Sequence, residues 1–328
     1  MAANDLFTLA GAPDERARVE TALLAAVHVA DDTYLTEIAS HLIHAGGKRQ
    51  RPGFTLAAGA CVDGYTGPAS ADVVSGGVAV ELVHLGSLYH DDVIDEALTR
   101  RTTESVNARW GNLRAILAGD FLLARASEIA AALGAEIAAL LANTIAQLCA
   151  GELAELQTAY QPTRSRDAYY TAIDGKTAAL FAAATRIGAI VAGHQPGDIE
   201  RLTRFGQAYG RAFQIVDDVL DLTATEEQLG KPVAHDLVEG IYNLPVLHAL
   251  AGPDGDELAA LLGTPIGGEV LEQARSLVTA GDAITAAVRE AASECDQAVD
   301  QLGPLAATPG GEALVAAADH LVRSVRTG

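Results

Sequence analysis

The chain has 328 residues, of which 49% are apolar and 5% aromatic, and its formal net charge is −21. Such a surplus of acid excludes a general nucleic-acid binder, which needs a basic face. A core built from Ala, Leu, Val and Ile favours helices, because strands draw on β-branched and aromatic side chains.

The opening segment, Met1 to Asp14, carries Asp5 and Asp14 and has no basic leader before an apolar run, so no signal peptide is expected. From there, windows of roughly 15–27 residues, helix length, alternate with short breaks. The breaks fall at Gly46-Gly47, Gly67-Pro68, Gly111, Gly134, Gly193 to Gly197, Gly230 to Pro232, Gly252-Pro253 and Pro309 to Gly311. The uncharged stretch Ile137 to Gly151 contains Asn143, Thr144 and Gln147, and reads as too short and too polar to span a bilayer. Ala178 to Ala192 is apolar nearly all round, apart from Thr185 and Arg186, which suits a helix inside a bundle or against an apolar cavity. Asp254 with Glu257 has the spacing of a capping box. No long linker divides the chain, so residues 1–328 are expected to form one soluble all-α domain. Cys61, Cys149 and Cys295 show neither metal nor disulfide-framework spacing and suit a reducing cytoplasm.

One element recurs. His90-Asp91-Asp92-Val93-Ile94-Asp95 and Val216-Asp217-Asp218-Val219-Leu220-Asp221 both contain D-D-x-x-D. On a helix Asp91 and Asp95 share a face, as do Asp217 and Asp221. A solvated acidic helix end is the bland reading. Against it, both clusters sit among apolar residues, where unpaired carboxylates are costly. Three carboxylates in five residues repel unless a cation neutralises them, and carboxylates completed by water and phosphate describe a magnesium site.

Magnesium held by two clusters calls for a polyphosphate, and basic groups to hold one are present. Lys48, Arg49 and Arg51 follow Gly46-Gly47, and Pro52 suits the first turn of a helix, so a loop presents three cations at a helix start. Arg100 and Arg101 lie just beyond Asp95, and Lys176 and Lys231 stand alone among neutral neighbours. His84 lies two turns before Asp91 and Gln214 one turn before Asp217.

These residues resemble the trans-isoprenyl diphosphate synthases, or polyprenyl synthetases. The resemblance runs from about Gly46 to about Ala249. It rests on G-G-K-R-x-R-P (Gly46 to Pro52), E-L-V-H-L-G-S-L-Y-H-D-D-V-I-D (Glu81 to Asp95), Arg100-Arg101, S-V-N (Ser105 to Asn107) and A-G-D-F-L-L-A-R-A (Ala118 to Ala126). It continues through G-K-T-A-x-L-F (Gly175 to Phe181), F-Q-I-V-D-D-V-L-D (Phe213 to Asp221) and G-K-P (Gly230 to Pro232). The resemblance implies an isoprenoid-synthase bundle around a central apolar cavity, and a homodimer. It implies that Asp91, Asp95 and Asp217, supported by Asp92, Asp218 and Asp221, bind about three Mg2+ ions on an allylic diphosphate. Arg100, Lys176 and Lys231 would hold that diphosphate, so Asp91, Asp95, Asp217, Lys176 and Arg100 are the implied catalytic set. Lys48, Arg51, His84 and Arg101 would hold isopentenyl diphosphate, and Thr177 and Gln214 would order the carbon skeletons. Thr102 replaces the family's usual Gly, Ala234 and His235 replace a Gly and a polar residue, and Ile241 replaces a frequent Lys.

The implied reaction is a head-to-tail trans condensation. The allylic C–O bond ionises, apolar walls exclude water, isopentenyl diphosphate attacks, and a proton is lost, with the released diphosphate as a reasonable base. A class I terpene cyclase needs neither the second D-D-x-x-D nor the Gly46–Pro52 loop. A non-catalytic subunit of a heteromeric synthase tends to lose aspartates that this chain keeps. One helical turn rises about 5.4 Å, near one isoprene unit, so Gly86 and Ser87 would face the first units of the growing tail and leave its channel open. That predicts a product of roughly C30 to C50 by resemblance, with roughly C20 to C25 as the alternative if Val83, Leu82, Phe121 or Phe181 closes the channel.

Overall fold

The computed structural model describes residues 6–7, 14–225 and 233–326. Among them the only strands are two of two residues each, so the chain is all-α. The G-K-P motif at Gly230 to Pro232, with Lys231, lies outside the described residues.

The helices gather into two compact units. The first draws on Met1–Ile145, Leu180–Thr203 and Leu302–Ala317, and the second on Ala146–Ala179, Arg204–Gln301 and Ala318–Gly328. In chain order the first begins with α1 (Glu15–Val27), α2 (Thr33–His44), α3 (Gln50–Gly59) and α4 (Ala71–Ile94). A hairpin of β1 (Thr99–Arg100) and β2 (Thr103–Glu104) follows, then α5 (Val106–Trp110), α6 (Asn112–Leu133) and α7 (Ala135–Leu156). Next come α8 (Arg166–Ile173), a π turn at Asp174–Ala178, α9 (Ala179–Val191) and α10 (Pro196–Thr223). The remainder is α11 (His235–Val238), α12 (Leu244–Leu250), α13 (Gly255–Leu261), α14 (Gly268–Ala280), α15 (Ala283–Leu302), a 3-10 turn at Gly303–Ala307 and α16 (Pro309–Arg326).

Side-chain caps start several helices: Asp14, Asp32, Ser70, Ser105 and Ser165 each accept from a backbone N–H in the first turn. Asp254 stands at the start of α13 but makes no side-chain cap bond, so the expected capping box is not formed. Gly111 and Gly134 break the chain as expected, with φ of 86° and 132°. Pro309 to Gly311 does not: Pro309 opens α16, and both glycines lie inside it.

In the first unit, glycines set the spacing around α4. A Cβ on Gly77 would lie 3.1 Å from Pro52 Cα, and one on Gly86 would lie 3.1 Å from the Gly119 carbonyl of α6 and 3.2 Å from Leu123 Cδ2. Gly86 therefore lets α4 and α6 approach, and its Cβ position faces α6, not the open space that helical spacing predicts. Ser87 donates to the His84 carbonyl at 2.9 Å. Phe181 packs edge-on against Phe54, with centroids 5.3 Å apart.

Among the described residues, two helices are long and apolar enough to cross a membrane. In α4 that apolar window is 67% buried, as in a core helix; in α7 it is 22% buried. The α7 helix runs 22 residues, longer than the stretch judged too short from sequence.

Candidate active site

In the first unit, the last turn of α4 carries Asp91 and Asp92, and Asp95 caps it. Asp95 is exposed and Asp91 half-buried, so this i, i+4 pair reaches solvent. Asp92 is fully buried and turned the other way. Its Oδ1 accepts from Arg100 Nε at 2.7 Å, and its Oδ2 has no hydrogen-bond partner among the described residues. Burial raises the Asp92 pKa, and Arg100 opposes that rise.

Arg101 and Thr102 form the two-residue turn of the hairpin, both left-handed, with φ of 52° and 63°. Glycine or asparagine suits such a turn, and a β-branched residue is strained there. Arg101 Nη1 donates to the carbonyl oxygens of Gly46 and, at 3.3 Å, Leu42, fastening the hairpin to the Gly46–Pro52 loop.

Of the three cations expected on that loop, Lys48 is exposed, and Arg51 lies over the Phe181 ring, 4.8 Å from its centroid. Arg49 turns inward. It is 2% exposed, with left-handed backbone, and donates to Glu20 at 2.8 Å, Glu81 at 3.1 Å and the Ile43 carbonyl at 2.9 Å. Half-buried His84 stays neutral. Burial lowers its pKa well below the usual imidazole value, and Arg51, Arg101, Arg100 and Arg49 lower it further. Of these four guanidiniums Arg49 is taken up by Glu20 and Glu81, which leaves Arg51, Arg100 and Arg101 beside a neutral imidazole, an arrangement that can attract an anion.

In the second unit, the end of α10 carries the other cluster. Asp217 is exposed, whereas Asp218 and Asp221 are buried. Asp221 therefore does not share the accessible face expected for it with Asp217; its Oδ2 accepts from the Asp236 N–H at 3.3 Å. Asp218 Oδ1 accepts from Gln214 Nε2 at 2.9 Å and its Oδ2 from Tyr169 OH at 2.6 Å. Burial pushes the Asp218 pKa up to about 7, against the Tyr169, Gln214 and Lys176 contributions, and Asp217 adds to the rise.

Lys176 and Thr177 sit on the π turn, where one extra residue per turn re-aims side chains. Thr177 Oγ1 donates to Gln214 Oε1 at 2.7 Å, so these two candidates do meet. Lys176 Nζ pairs with buried Glu155. Burial alone would lower the lysine's pKa, but the Glu155 carboxylate outweighs it and keeps the ammonium charged.

Sequence reading missed Tyr169, Glu155 and Arg164. The one available signal was Lys176 itself, since a cation among neutral neighbours needs a buried counter-charge from elsewhere.

Strain follows from two departures. Ala234, like Thr102, is left-handed (φ 55°), and its N–H donates to the Asp221 carbonyl at 2.7 Å. Thr102→Gly should stabilise the fold by about 1 kcal/mol, and Ala234→Gly by less, because glycine's entropy offsets part of the relief. Urea denaturation measures both.

Asp218→Asn supplies a pH test. A carboxyl whose folded pKa lies near 7, above the ordinary aspartate value of 3.8, contributes stability that is full below about 4 and lost as pH rises through 7. The amide does not titrate, so the variant should melt above the wild type at pH 8, with the gap closing as pH falls toward 4.

The polyprenyl synthetase family model matches residues 32–277. The chain is 39% identical over 311 residues to nonaprenyl diphosphate synthase of Mycobacterium tuberculosis, covering 93% of this chain and 91% of that protein. It is 41% identical over 263 residues to heptaprenyl diphosphate synthase component 2 of Geobacillus stearothermophilus, covering 76% and 81%. A polyprenyl synthase from Caulobacter crescentus, solved in complex with calcium and isoprenyl diphosphate, superimposes with a TM-score of 0.89 at 33% identity, covering 98% and 97%. With most of its length matched at these identities, and the motif residues placed as described, the chain belongs to the polyprenyl synthetase family.

Proposed function

We propose that this enzyme is a trans-prenyltransferase that condenses isopentenyl diphosphate with an allylic prenyl diphosphate to give a long-chain polyprenyl diphosphate. The observation that carries the reading is the concentration of Arg51, Arg100 and Arg101 around neutral His84, beside the Asp91–Asp95 turn, in a chain of net charge −21. Such a pocket binds a diphosphate, and the carboxylates beside it bind a divalent cation.

The donor set fits a hard cation. Every candidate ligand is a carboxylate oxygen, and Asp92 Oδ2 is buried without a hydrogen-bond partner among the described residues. Among those residues no three His, Cys, Asp or Glu side chains form a ready-made cage. Magnesium takes one or two carboxylates and completes its shell with water and substrate phosphate. We assign Asp91, Asp95 and Asp217 to it, about three ions in all. When bound, the cation neutralises charge on the leaving diphosphate. Arg100 and Lys176 hold that group, with Lys231 from outside the described residues. Lys48, Arg51 and Arg101 clamp isopentenyl diphosphate, with His84 as an uncharged partner. Thr177 and Gln214 order the reacting carbons.

Incubating the purified chain with Mg2+, labelled isopentenyl diphosphate and C5 to C20 allylic starters, then sizing the products, tests this. Long polyprenyl chains are expected; a cyclised hydrocarbon would reject it. The similarity to a protein named as a component of heptaprenyl diphosphate synthase favours one second reading, a catalytic subunit that works only with a different chain. Activity of the purified chain alone would dispose of it.

We further propose that the chain acts as one domain and as a homodimer in a reducing cytoplasm, which the free Cys61, Cys149 and Cys295 fit. Leu113, Ile116 and Leu117 form an exposed i, i+3, i+4 stripe on α6, and α7 is largely exposed and apolar. A second copy would cover this surface, each leucine contributing about 2 kcal/mol. Leu113→Lys with Leu117→Lys should shift the light-scattering mass from dimer to monomer.

A further inference from the structure

We propose that Glu155, Arg164 and Tyr169 form a positioning ring that holds Lys176, Thr177 and Asp218 in place for a cation-bound diphosphate. The inference rests on the prenyltransferase reading above and extends it to residues that touch neither substrate nor cation.

The ring lies wholly within the second unit. It starts at Lys176, whose ammonium pairs with Glu155 Oε2. Glu155 Oε1 lies 3.5 Å from Arg164 Nη2. The Arg164 guanidinium lies over the Tyr169 ring, 5.6 Å from its centroid, and its Nη1 donates to the Tyr242 carbonyl at 3.2 Å. Tyr169 OH donates to Asp218 Oδ2 at 2.6 Å, and Gln214 Nε2 donates to Asp218 Oδ1 at 2.9 Å. Thr177 Oγ1 donates to Gln214 Oε1 at 2.7 Å. The path returns to the residue next to the one it left, on the same π turn.

Burial gives the ring its meaning. Glu155, Arg164 and Tyr169 are 3%, 6% and 1% exposed, whereas the Lys176 side chain is 21% exposed. The three lie behind Lys176, the one held group that meets solvent, and cannot themselves reach a diphosphate in it; Thr177 and Asp218, at 7% and 4%, are themselves nearly covered. Apolar residues of similar volume would fill that space at least as stably, because desolvating charges consumes most of the gain from pairing them. Arg164 Nε even lacks a hydrogen-bond partner among the described residues, a cost that packing alone does not explain. What charged groups supply here, and apolar ones cannot, is direction. Glu155 fixes the lysine, and Tyr169 fixes which way the Asp218 carboxylate faces. Groups standing one shell behind a cation site commonly change its affinity 10–100-fold when removed.

The test uses Tyr169→Phe, which deletes one hydroxyl and keeps the stacked ring, and Glu155→Gln, which keeps the shape. Binding of inorganic diphosphate with Mg2+ is followed by calorimetric titration, beside steady-state kinetics and apo melting curves. Each variant should bind magnesium and diphosphate about 10-fold more weakly and lose about as much kcat, with the KM for isopentenyl diphosphate unchanged. Should Glu155→Gln fail to fold, Tyr169→Phe decides alone. A lowered melting temperature with wild-type diphosphate binding and kcat at a temperature where the variant is folded would mean a purely structural role and overturn the ring. The two readings fail differently. A wild type that turns the allylic diphosphate into a cyclised hydrocarbon overturns the prenyltransferase assignment and the ring with it, whereas an active wild type with an unaffected Tyr169→Phe overturns the ring alone.

Discussion

Asp91→Ala and Asp217→Ala should each lower turnover by at least ~10²-fold while leaving the fold intact. The size follows from charge. A departing diphosphate gains negative charge as its C–O bond breaks, and losing a ligand of the neutralising cation costs about 3 kcal/mol or more. The fold should survive because Asp91 is only half-buried and Asp217 is exposed, unlike the buried Asp92, Asp218 and Asp221. Each change also removes repulsion from a cluster of three carboxylates. Turnover of labelled isopentenyl diphosphate and an apo melting curve measure the two halves of the prediction. Full activity of either variant in excess chelator would remove these carboxylates from the mechanism.

The helical architecture was legible because its signals are local. Gly111 and Gly134 end helices through left-handed or otherwise glycine-favoured backbone, and a composition poor in aromatics leaves little to build strands from. The same letter misled where its use is tertiary. Gly310 and Gly311 sit inside α16 because backbone passes close by: a Cβ on Gly310 would lie 2.6 Å from Ala60 C, and one on Gly311 2.9 Å from Ala306 Cα. Gly86 was placed correctly along its helix, but helical spacing says nothing about what faces it, and the answer is α6. Within the candidate site the motif residues were legible, and their division of labour was not. Asp217 and Asp221 share helical spacing yet differ in burial, because the first turn of α11 folds back on Asp221 and its Asp236 N–H donates to that carboxylate. Arg49 reads as one of three equivalent cations until Glu20 and Glu81, from distant positions, draw it inward. Tyr169, Arg164 and Glu155 belong to no spacing pattern at all; only the fold brings them together.

Gly151→Ala should lower kcat by about 10²-fold although it adds a single methyl group, far less than substitutions in a core usually need. The π turn that carries Lys176 and Thr177 packs directly on α7. A Cβ on Gly175 would lie 2.6 Å from the Gln147 carbonyl and 2.7 Å from Gly151 Cα; one on Gly151 would lie 2.7 Å from the Ala172 carbonyl and would also meet the Lys176 N–H nitrogen. These neighbours are backbone atoms, which cannot swing aside as the end of a side chain can. From the other side, a Cβ on Gly210 would lie 3.0 Å from Ala178 Cβ. Arg211 grips Asp174 at the head of the turn, with Nε and Nη2 at 2.5 and 2.7 Å from its two carboxylate oxygens. The turn is thus pinned on both faces and at one end. A methyl on Gly151 must push it by about 1 Å, a displacement that can cost 10²-fold when the group moved aligns a reacting bond. Helix propensity favours alanine over glycine by about 1 kcal/mol, so the variant should stay folded and separate the catalytic loss from a stability loss. The KM for isopentenyl diphosphate should not move, because Lys48, Arg51 and His84 belong to the first unit. Gly197→Ala is the control: nothing lies within 4 Å of its added Cβ, and its kinetics should match the wild type. Wild-type kcat in Gly151→Ala would show that the position of the π turn does not limit the reaction.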